Sequence, residues 1–428
     1  MLIDKKMRNR FLFSSLISLF GIGAPAGTSA YIQTRAAVES PRMFAAAQSN
    51  PIIQQINADA ATGSSQAVVV DEVPLAHTTQ LLPLDKKGEL IGKGNILKQV
   101  NQVLNNITLA LKAADANLNG LVKLNIYLKQ ADLMPQVQAQ LGKQLKGRAK
   151  PAVSYVVGDL AHTDLLIAMD AIATTTAANQ RVQYFRSAAL QNNSPAAHVA
   201  VLPAGEVVYV AGQADKGALP EATRGTLKQL EATLMHLGLK KDQVIQLKSF
   251  IRPMTDVKVV EKEIASFFAG FTVPPVVYVE WLSQDPVVEI ELISAAPVTA
   301  ASGAPQLEFI TPPFMTASPV YSKVTRINHG KKVYVSGLYG KTPASAPAQV
   351  TEIFTNLGAI LEKAGSSFQH LAKATYYVSD NETSTQLNAL RPKYYNPLRP
   401  PAASKAMVRG VGATNLGITI DMIGVVAK

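Results

Sequence analysis

The chain has 428 residues, of which 47% are hydrophobic and 17% are charged, and its formal net charge at pH 7 is +11. A chain of this length and apolar content builds about two to four packed domains and is not intrinsically disordered. It contains no cysteine, which excludes disulfides, thiolate metal sites, iron–sulfur clusters and cysteine nucleophiles. Its six histidines are far apart in the sequence and form no local metal-binding motif. We therefore expect neither a metal nor another cofactor.

The first 30 residues have the order of a secretory signal peptide. Four basic residues and one acid lie within residues 1–10, an apolar run spans residues 11–22, and small residues lead to Ala30. The apolar run has 12 residues and is shorter than the roughly 20 residues of a membrane-spanning helix. We expect cleavage after Ala30 and a periplasmic or secreted protein without membrane contact. The alternative is an uncleaved N-terminal anchor.

The basic charge of the chain does not indicate a nucleic-acid partner. Removing residues 1–30 takes away four bases and one acid, which lowers the formal charge from +11 to +8. The remaining basic residues are scattered and do not alternate with aromatic residues, so a solvated surface is the better interpretation. Residues 31–65 are rich in polar and small residues with little periodicity, which predicts a flexible lead-in.

Three segments of the remaining chain share one order of features. Each begins with a β-like run, continues with a helix whose apolar residues recur at three- and four-residue steps, and then reaches an alternating strand. The opening runs span residues 74–80, 207–213 and 333–338. The alternating strands carry an aromatic residue at their seventh position, Tyr127, Phe250 and Tyr377.

A polar stretch and a pair of strands close each segment, and the last strand carries an acid. These acids are Asp170, Glu291 and Asp421, separated by 121 and 130 residues. Such agreement indicates three diverged copies of one domain. The predicted domains span residues 66–175, 190–298 and 310–428, and the predicted linkers span residues 174–194 and 298–312.

Each copy predicts a sheet with helices on one face, and the other face has to be buried. Three copies can bury these faces against one another in a closed ring with pseudo-three-fold symmetry. We therefore expect an α+β protein whose three domains form an intrachain pseudo-trimer, with the whole chain a monomer.

These landmarks resemble the Rid family of reactive-intermediate imine deaminases and their relatives. Residues 208–213 and 333–337 resemble the family's V-Y-V-S-G-Q strand, and residues 288–291 resemble its terminal V-E-I-E. Residues 318–322 resemble its G-P-Y-S segment, and residues 85–90 resemble its D-x-x-G-E-L turn. The resemblance covers about residues 66–428. It implies chorismate-mutase-like βαββαβ domains that assemble as a trimer with ligand clefts between neighbours.

The resemblance also implies a binding mode for the substrate. Deaminases of the family hold the substrate carboxylate with the arginine of a P-A-R motif, because a guanidinium and a carboxylate form a bidentate pair. The corresponding residues here are Val153, Val276 and Ala403. The expected function is small-metabolite binding in interdomain clefts, with imine- or enamine-deaminase-like hydrolysis left open. The alternative is a non-catalytic scaffold or binding module with retired active sites. RNA cleavage or translation inhibition, a third possibility, is disfavoured by the export signal and by the scattered basic residues.

The third copy keeps the most polar residues, and its catalytic candidates are Asp421, Tyr321 and Lys405. Residues 403 and 405 share one face of a strand, which would place Lys405 near the missing guanidinium and opposite Asp421. The acid would orient a water and Tyr321 would contact the substrate. The alternatives are a solvent-exposed lysine and structural acids that accept backbone hydrogen bonds. The expected ligand-binding residues are Ser322, Gly337, Asn388, Gly212, Glu291 and Asp170.

Overall fold

The computed structural model describes residues 52–177, 180–296, 303–340 and 345–427. The predicted signal peptide and most of the predicted lead-in lie outside these residues. The chain divides into two compact units, residues 1–50 and 51–428, and all described residues belong to the second. Within the described ranges, no helix combines the length and apolarity needed to cross a membrane.

Three domains of similar composition follow one another along the chain. The first contains β1 (Ile53–Asp59), β2 (Ser64–Val70), β3 (Leu75–Thr78), α1 (Ile96–Lys112), β4 (Ala116–Leu128), α2 (Met134–Gln144), β5 (Ala152–Val157) and β6 (Ile167–Thr175). The second contains β7 (Gln183–Phe185), β8 (Val199–Leu202), β9 (Val207–Gln213), α3 (Leu219–His236), β10 (Val244–Ile251), α4 (Val257–Phe267), β11 (Val276–Glu280) and β12 (Val288–Ala295). The third contains β13 (Leu307–Ile310), β14 (Val324–Ile327), β15 (Lys332–Val335), α5 (Ala346–Lys363), β16 (Leu371–Val378), α6 (Asn381–Leu390), β17 (Ala402–Met407) and β18 (Ile418–Val425).

Local sequence signals mark the start of α1 and the ends of α3 and α5. The Asn95 side chain accepts a hydrogen bond from the Lys98 amide and caps α1. Helices α3 and α5 are followed by Gly238 and Gly365, which have φ angles of +68° and +69°. Glycine adopts this left-handed conformation without strain and so ends a helix readily.

The strands of the three domains have the same order, β5-β4-β6-β3, β11-β10-β12-β9 and β17-β16-β18-β15. In each domain the central strand pairs antiparallel with the last strand and parallel with the strand before it. Each sheet has its own apolar cluster against its helices, and a further cluster joins buried residues of all three domains. The predicted α+β fold is confirmed, and the helix-free faces of the three sheets are buried together.

A hairpin from a neighbouring domain extends each sheet. The hairpin β7–β8 of the second domain pairs with β3 of the first domain, and β13–β14 of the third domain pairs with β9 of the second. The hairpin β1–β2 of the first domain pairs with β15 of the third. Each domain therefore gives two strands to one neighbour and receives two from the other, so the exchange closes into a ring.

These hairpins lie partly in segments that the sequence predicts as irregular. Residues 53–65 of the predicted lead-in form β1 and the start of β2, and the two predicted linkers contain β7 and β13. These strands are short and partly exposed, so they carry little of the apolar alternation that marks a strand in a sequence.

Candidate functional site

The three domain boundaries are built in the same way. At each of them, the opening strand of one domain contacts the strand of the next domain that carries the P-A-R-like motif. At the first–second boundary, Thr79 Oγ1 donates to the Val276 carbonyl over 2.8 Å. At the second–third boundary, the Gly212 amide donates to Ser404 Oγ over 3.0 Å. At the third–first boundary, the Gly337 amide donates to the Val153 carbonyl over 2.9 Å.

A cleft of about 460 Å³ lies at the first–second boundary, and most of its wall is apolar. Val276 lies in this wall, at the position that corresponds to the family's arginine. The Tyr278 side chain also lines the cleft, and burial raises the pKa of its hydroxyl well above the ordinary value. The aliphatic lining consists of Leu81, Leu82, Leu84, Leu90, Ala161, Leu165, Leu190, Ala196, Val257 and Val276.

Several polar groups of this first–second cleft already have protein partners. Asn106 Nδ2 donates to the carbonyls of Leu82 and Leu84, each over 2.8 Å. His198 Nδ1 accepts from the Ser187 amide, and its Nε2 lies 3.0 Å from the Gln191 carbonyl oxygen. Burial lowers the pKa of His198.

A second cleft, of about 520 Å³, lies at the third–first boundary, and many of its lining side chains carry hydroxyl or amide groups. Gly337 and Val153 form part of its wall. The Tyr155 hydroxyl is buried in the same wall and has no hydrogen-bond partner among the described residues. Its polar lining includes Asn57, Ser64, Gln66, Gln138, Ser336, Asn356 and Lys363. The two clefts therefore differ in polarity although the fold makes them equivalent.

The second–third boundary carries an acid, Glu289, beside Gly212. A Cβ atom at Gly212 would collide with the Glu289 carboxylate, so only glycine lets this side chain lie there. Burial raises the pKa of Glu289 to about 8, and the neighbouring Glu291 adds to the rise. Burial lowers the pKa of Lys405, and Glu289 opposes this effect. The pair thus brings an acid with a raised pKa close to an amine.

Lys405 does not face Asp421. In the sheet register, Ser404, Thr375 and Asp421 lie in one row, whereas Lys405 lies in the next row with Tyr376 and Ile420. Because neighbouring rows of a sheet point to opposite faces, Lys405 and Asp421 are on opposite sides. Lys405 Nζ instead donates to Ser384 Oγ over 3.0 Å and to Asn388 Oδ1 over 3.3 Å on α6.

The three acids of the last strands lie where the helix-free faces of the sheets meet, not in the clefts. Asp421 Oδ1 lies 2.9 Å from Lys123 Nζ of the first domain. Glu291 Oε1 of the second domain lies 2.8 Å from Lys373 Nζ of the third. Burial would raise the pKa of Asp421, but the three surrounding lysines hold it below its ordinary value.

Asp170 is held differently, because Gln246 stands where the other two pairs have a lysine. Its carboxylate accepts from Asn125 Nδ2 over 2.9 Å and from the Tyr127 hydroxyl over 2.8 Å. Burial raises the pKa of Asp170. All three acids are thus buried structural residues. Their partners are side chains, whereas the sequence analysis expected structural acids to accept hydrogen bonds from the backbone.

The remaining predicted residues lie in the third domain but do not form one cluster with Asp421. Ser322 Oγ donates to the Pro400 carbonyl over 2.7 Å, and its amide donates to the Pro401 carbonyl over 3.0 Å. The Tyr321 hydroxyl accepts from Lys323, whose Nζ lies 4.4 Å from the Tyr321 ring centroid. The structure therefore brings Lys405 and Asn388 together and separates both from Asp421.

Sequence reasoning missed Glu289. Residues 288–291 contain two acids, and the alternation of a strand places both on one face. The second acid, Glu291, contacts Lys373, and the first, Glu289, lies beside Gly212 at the domain boundary. The signal that could have identified it is the opening strand's small residue, which leaves space for a side chain from the terminal strand. In the described ranges, no group of three or more acidic or histidine residues could hold a metal ion.

Comparison with known proteins identifies the family. Residues 55–175, 189–296 and 314–426 each match the family Endoribonuclease L-PSP, and the chain belongs to this family. A RutC family protein of Pyrococcus horikoshii is 36% identical over 92 residues, which are 22% of this chain and 72% of the relative. A RutC family protein of Pyrococcus abyssi is 35% identical over the same shares. The three tandem copies and the Rid resemblance are confirmed.

Part of the chain is also similar to a solved structure. A protein of the conserved Rid family from Yersinia pestis is 27% identical, with a TM-score of 0.27. The match covers 29% of this chain and 99% of that protein.

Proposed function

We propose that the protein binds a small, largely apolar and uncharged metabolite in the first–second cleft. The observation that supports this proposal is the aliphatic wall of the cleft, with Val276 at the position that corresponds to the family's arginine. A volume of about 460 Å³ lies within the usual range of small-molecule sites. Burying aliphatic surface against this wall supplies the affinity.

The same wall disfavours the carboxylate substrates of imine deaminases. A carboxylate in the interior of the cleft would lose its hydration without gaining a guanidinium. The cation of the lining is Lys258, which is largely exposed and lies 2.6 Å from Glu261 Oε2. The polar end of an uncharged ligand can instead face Tyr278 and His162, which also line the cleft.

A thermal-shift screen with two panels of compounds tests this proposal. One panel contains uncharged ketones and amides, and the other contains amino acids and keto acids of similar size. The uncharged panel is expected to raise the Tm, because a ligand that binds only the folded state stabilises it. Val276→Arg is expected to abolish this response and to gain one for keto acids. Val153→Arg, at the corresponding position of the third–first boundary, is the matched control and should keep the wild-type response. Stabilisation by acids alone would overturn the proposal.

Hydrolysis of an imine is a second candidate function, favoured by Glu289 at the second–third boundary. A carboxyl with a pKa of about 8 can protonate an imine nitrogen at neutral pH and then accept a proton from the attacking water. Water adds to the carbon, the carbon–nitrogen bond breaks, and a carbonyl compound and an amine leave. Lys405 can orient an anionic substituent of the substrate close to this acid.

Turnover of an imine generated in place tests the second candidate. Glu289→Gln is expected to lower kcat by about 100-fold or more, the usual share of a general acid–base group. The wild-type rate should fall above pH 8, where this carboxyl ionises. Lys405→Ala is expected to raise KM for anionic imines. Equal rates for the wild type and Glu289→Gln would rule out this role, and no turnover at all would favour a purely binding or scaffolding protein.

A further inference from the structure

Two basic side chains of the third domain converge on one neutral oxygen atom beside the second–third boundary. Lys405 Nζ donates to Asn388 Oδ1 over 3.3 Å, and Arg391 Nη2 donates to the same oxygen over 3.4 Å. Both hydrogen bonds are long, and an amide oxygen carries only a partial negative charge. The two cations therefore share a position where a carboxylate would be the stronger acceptor.

Arg391 is the less satisfied of the two cations. It directly follows α6 and is 8% exposed, and its buried Nε has no hydrogen-bond partner among the described residues. Its guanidinium carbon lies 5.3 Å from the centroid of the Tyr376 ring. The ring and the C-terminal end of α6 both attract a cation, but neither supplies a full negative charge. A buried cation without a counter-charge is costly, so this arginine calls for an anionic partner.

The acids of the neighbourhood do not neutralise Arg391 and Lys405. Among the described residues, no carboxylate oxygen lies within 4.0 Å of a side-chain nitrogen of either residue. Burial lowers the pKa of Lys405, Arg391 lowers it further because the two positive charges repel, and Glu289 opposes both effects. Even an ionised Glu289 leaves an excess of one positive charge. Asp380 and Glu382 lie at the opposite end of α6.

Solutes can reach the position between the two cations. Asn388 is exposed and Lys405 is half-buried, so a rotation of the Asn388 side chain opens this position. Ala403 lies two residues before Lys405 on the same face of β17 and is also half-buried. A carboxylate that replaces the amide oxygen can accept charge-assisted hydrogen bonds from both cations, which are shorter and stronger than the two bonds it replaces.

We propose that Arg391 and Lys405 bind the carboxylate of a small organic acid, which replaces the oxygen of Asn388 between them. The guanidinium comes from the segment after α6, because β17 has Ala403 at the position that corresponds to the family's arginine. One carboxylate removes the excess charge and matches the planar guanidinium. The inference deepens the second candidate function, on which it rests for any reaction that follows binding, and it assigns Arg391 as a second group that holds the anionic substituent.

Propanoate, an unreactive small carboxylate, tests the site in the full-length protein. At constant ionic strength, propanoate should raise the Tm of the wild type in a saturable way, which gives its Kd. Arg391→Gln should weaken propanoate binding by about 10-fold or more, the usual share of a hydrogen bond to a charged group. Lys393→Met, which removes an exposed lysine of the same segment, is the matched control for net charge and should keep the wild-type Kd.

Asn388→Asp tests the same position by a carboxylate built into the chain. The new carboxylate lies between the two cations, so the variant should have a higher Tm than the wild type and should no longer respond to propanoate. The change preserves the size of the side chain, and it therefore decides the question if Arg391→Gln does not fold. A propanoate response that is unchanged in Asn388→Asp or in folded Arg391→Gln would overturn the proposal.

Turnover separates this inference from the second candidate function. Glu289→Gln should bind propanoate at least as tightly as the wild type, because the acid is not needed for binding. Propanoate binding that depends on Arg391, without turnover of any imine, would support the site and remove the catalytic role of Glu289. Turnover of anionic imines with the same KM in wild type and Arg391→Gln would overturn the site and leave that role intact. Because acids bound here also raise the Tm, the acid panel for the first–second cleft should be repeated in Arg391→Gln.

Discussion

Two acids on one strand show how position alone decides what a carboxylate can do. Glu289 and Glu291 point to the same face of β12, but Glu291 reaches Lys373 and Ser404, which donate to both of its oxygens. Glu289 lies two residues earlier on the strand and contacts Gly212 at the domain boundary. Among the described residues, no lysine nitrogen lies at ion-pair distance from its carboxylate. The inner acid is neutralised, and the outer one remains available for chemistry.

Removing one member of a buried ion pair should be costly. Lys123→Met leaves the buried Asp421 carboxylate without its principal cation, and such losses typically cost about 3–5 kcal/mol. The double variant Lys123→Met/Asp421→Leu should recover most of this loss, because it leaves no unpaired charge. Urea unfolding at pH 7 measures both. A cost of the single variant below about 1 kcal/mol would contradict the assignment of this pair as the carboxylate's main stabilising contact.

The raised pKa of Glu289 predicts a pH dependence of stability. The folded protein holds this proton up to about pH 8, whereas the unfolded chain releases it near pH 4.5. The folded state thus binds more protons in this window, and its stability falls as the pH rises from about 4.5 to 8. Glu289→Gln should remove this component, so the difference in urea midpoint between wild type and variant should change steadily between pH 5 and 8. A difference that does not vary with pH would show that the carboxyl titrates normally.

At the scale of elements, the exchanged hairpins solve the problem of the exposed sheet edge. Strands β3, β9 and β15 would each present unpaired backbone groups in an isolated domain, and such edges promote aggregation. The hairpins β7–β8, β13–β14 and β1–β2 cover them. The stability of each opening strand therefore depends on a neighbouring domain.

Truncating a buried hairpin residue should loosen the strand that it covers. Ile327 is fully buried on β14 and faces Val207 on β9, and Leu202 on β8 faces Leu75 on β3. Either change to alanine should cost about 2–5 kcal/mol. Ile327→Ala should speed hydrogen exchange in β9 and spare β3, and Leu202→Ala should do the reverse. Equal acceleration in both strands would show that the hairpins do not act locally.

The elements that the sequence predicts well are those with a buried face and a regular period. The repeated helices and the strands with Tyr127, Phe250 and Tyr377 carry such a pattern, and the structure has them all. The partners of the hairpins could not be predicted, because pairing across domains leaves no periodic signal in either strand. The small residue Gly212 is visible in the sequence, but its contact with Glu289 follows only from the register of β9 with β12.

At the scale of the whole molecule, one arginine connects all three domains. Arg409 follows β17 of the third domain, and its guanidinium contacts Asp159 of the first domain and Glu280 of the second. Its Nε lies 2.7 Å from Glu280 Oε2. Glu280 is 7% exposed, so it depends on this cation, whereas Asp159 also has Lys129.

Arg409→Met should destabilise the protein by about 2 kcal/mol at neutral pH, because it leaves the buried Glu280 carboxylate uncompensated.

A hydrogen bond from Lys129, with help from Arg409, lowers the pKa of Asp159. The stability from this group is present above pH 3.8 and is lost as the pH falls below it. The gap in urea midpoint between the variant and the wild type should therefore narrow as the pH falls below 3.8, by the part of this stability that Arg409 supplies. Lys93→Met, which removes an exposed lysine paired with Asp164, is the control and should change little. An equal gap at pH 7 and pH 3 would contradict an electrostatic origin.

The cyclic exchange of hairpins also determines how the pockets can change. In an assembly of three identical subunits, every substitution alters three pockets at once. Here the three domains are separate copies within one chain, so a mutation changes a single pocket. The hairpins exchanged between the domains keep the other two pockets in place. Each of the three sites can therefore adapt to a different ligand within a single chain. They already differ, with an apolar cleft at the first–second boundary, hydroxyl groups at the third–first boundary and an acid at the second–third boundary.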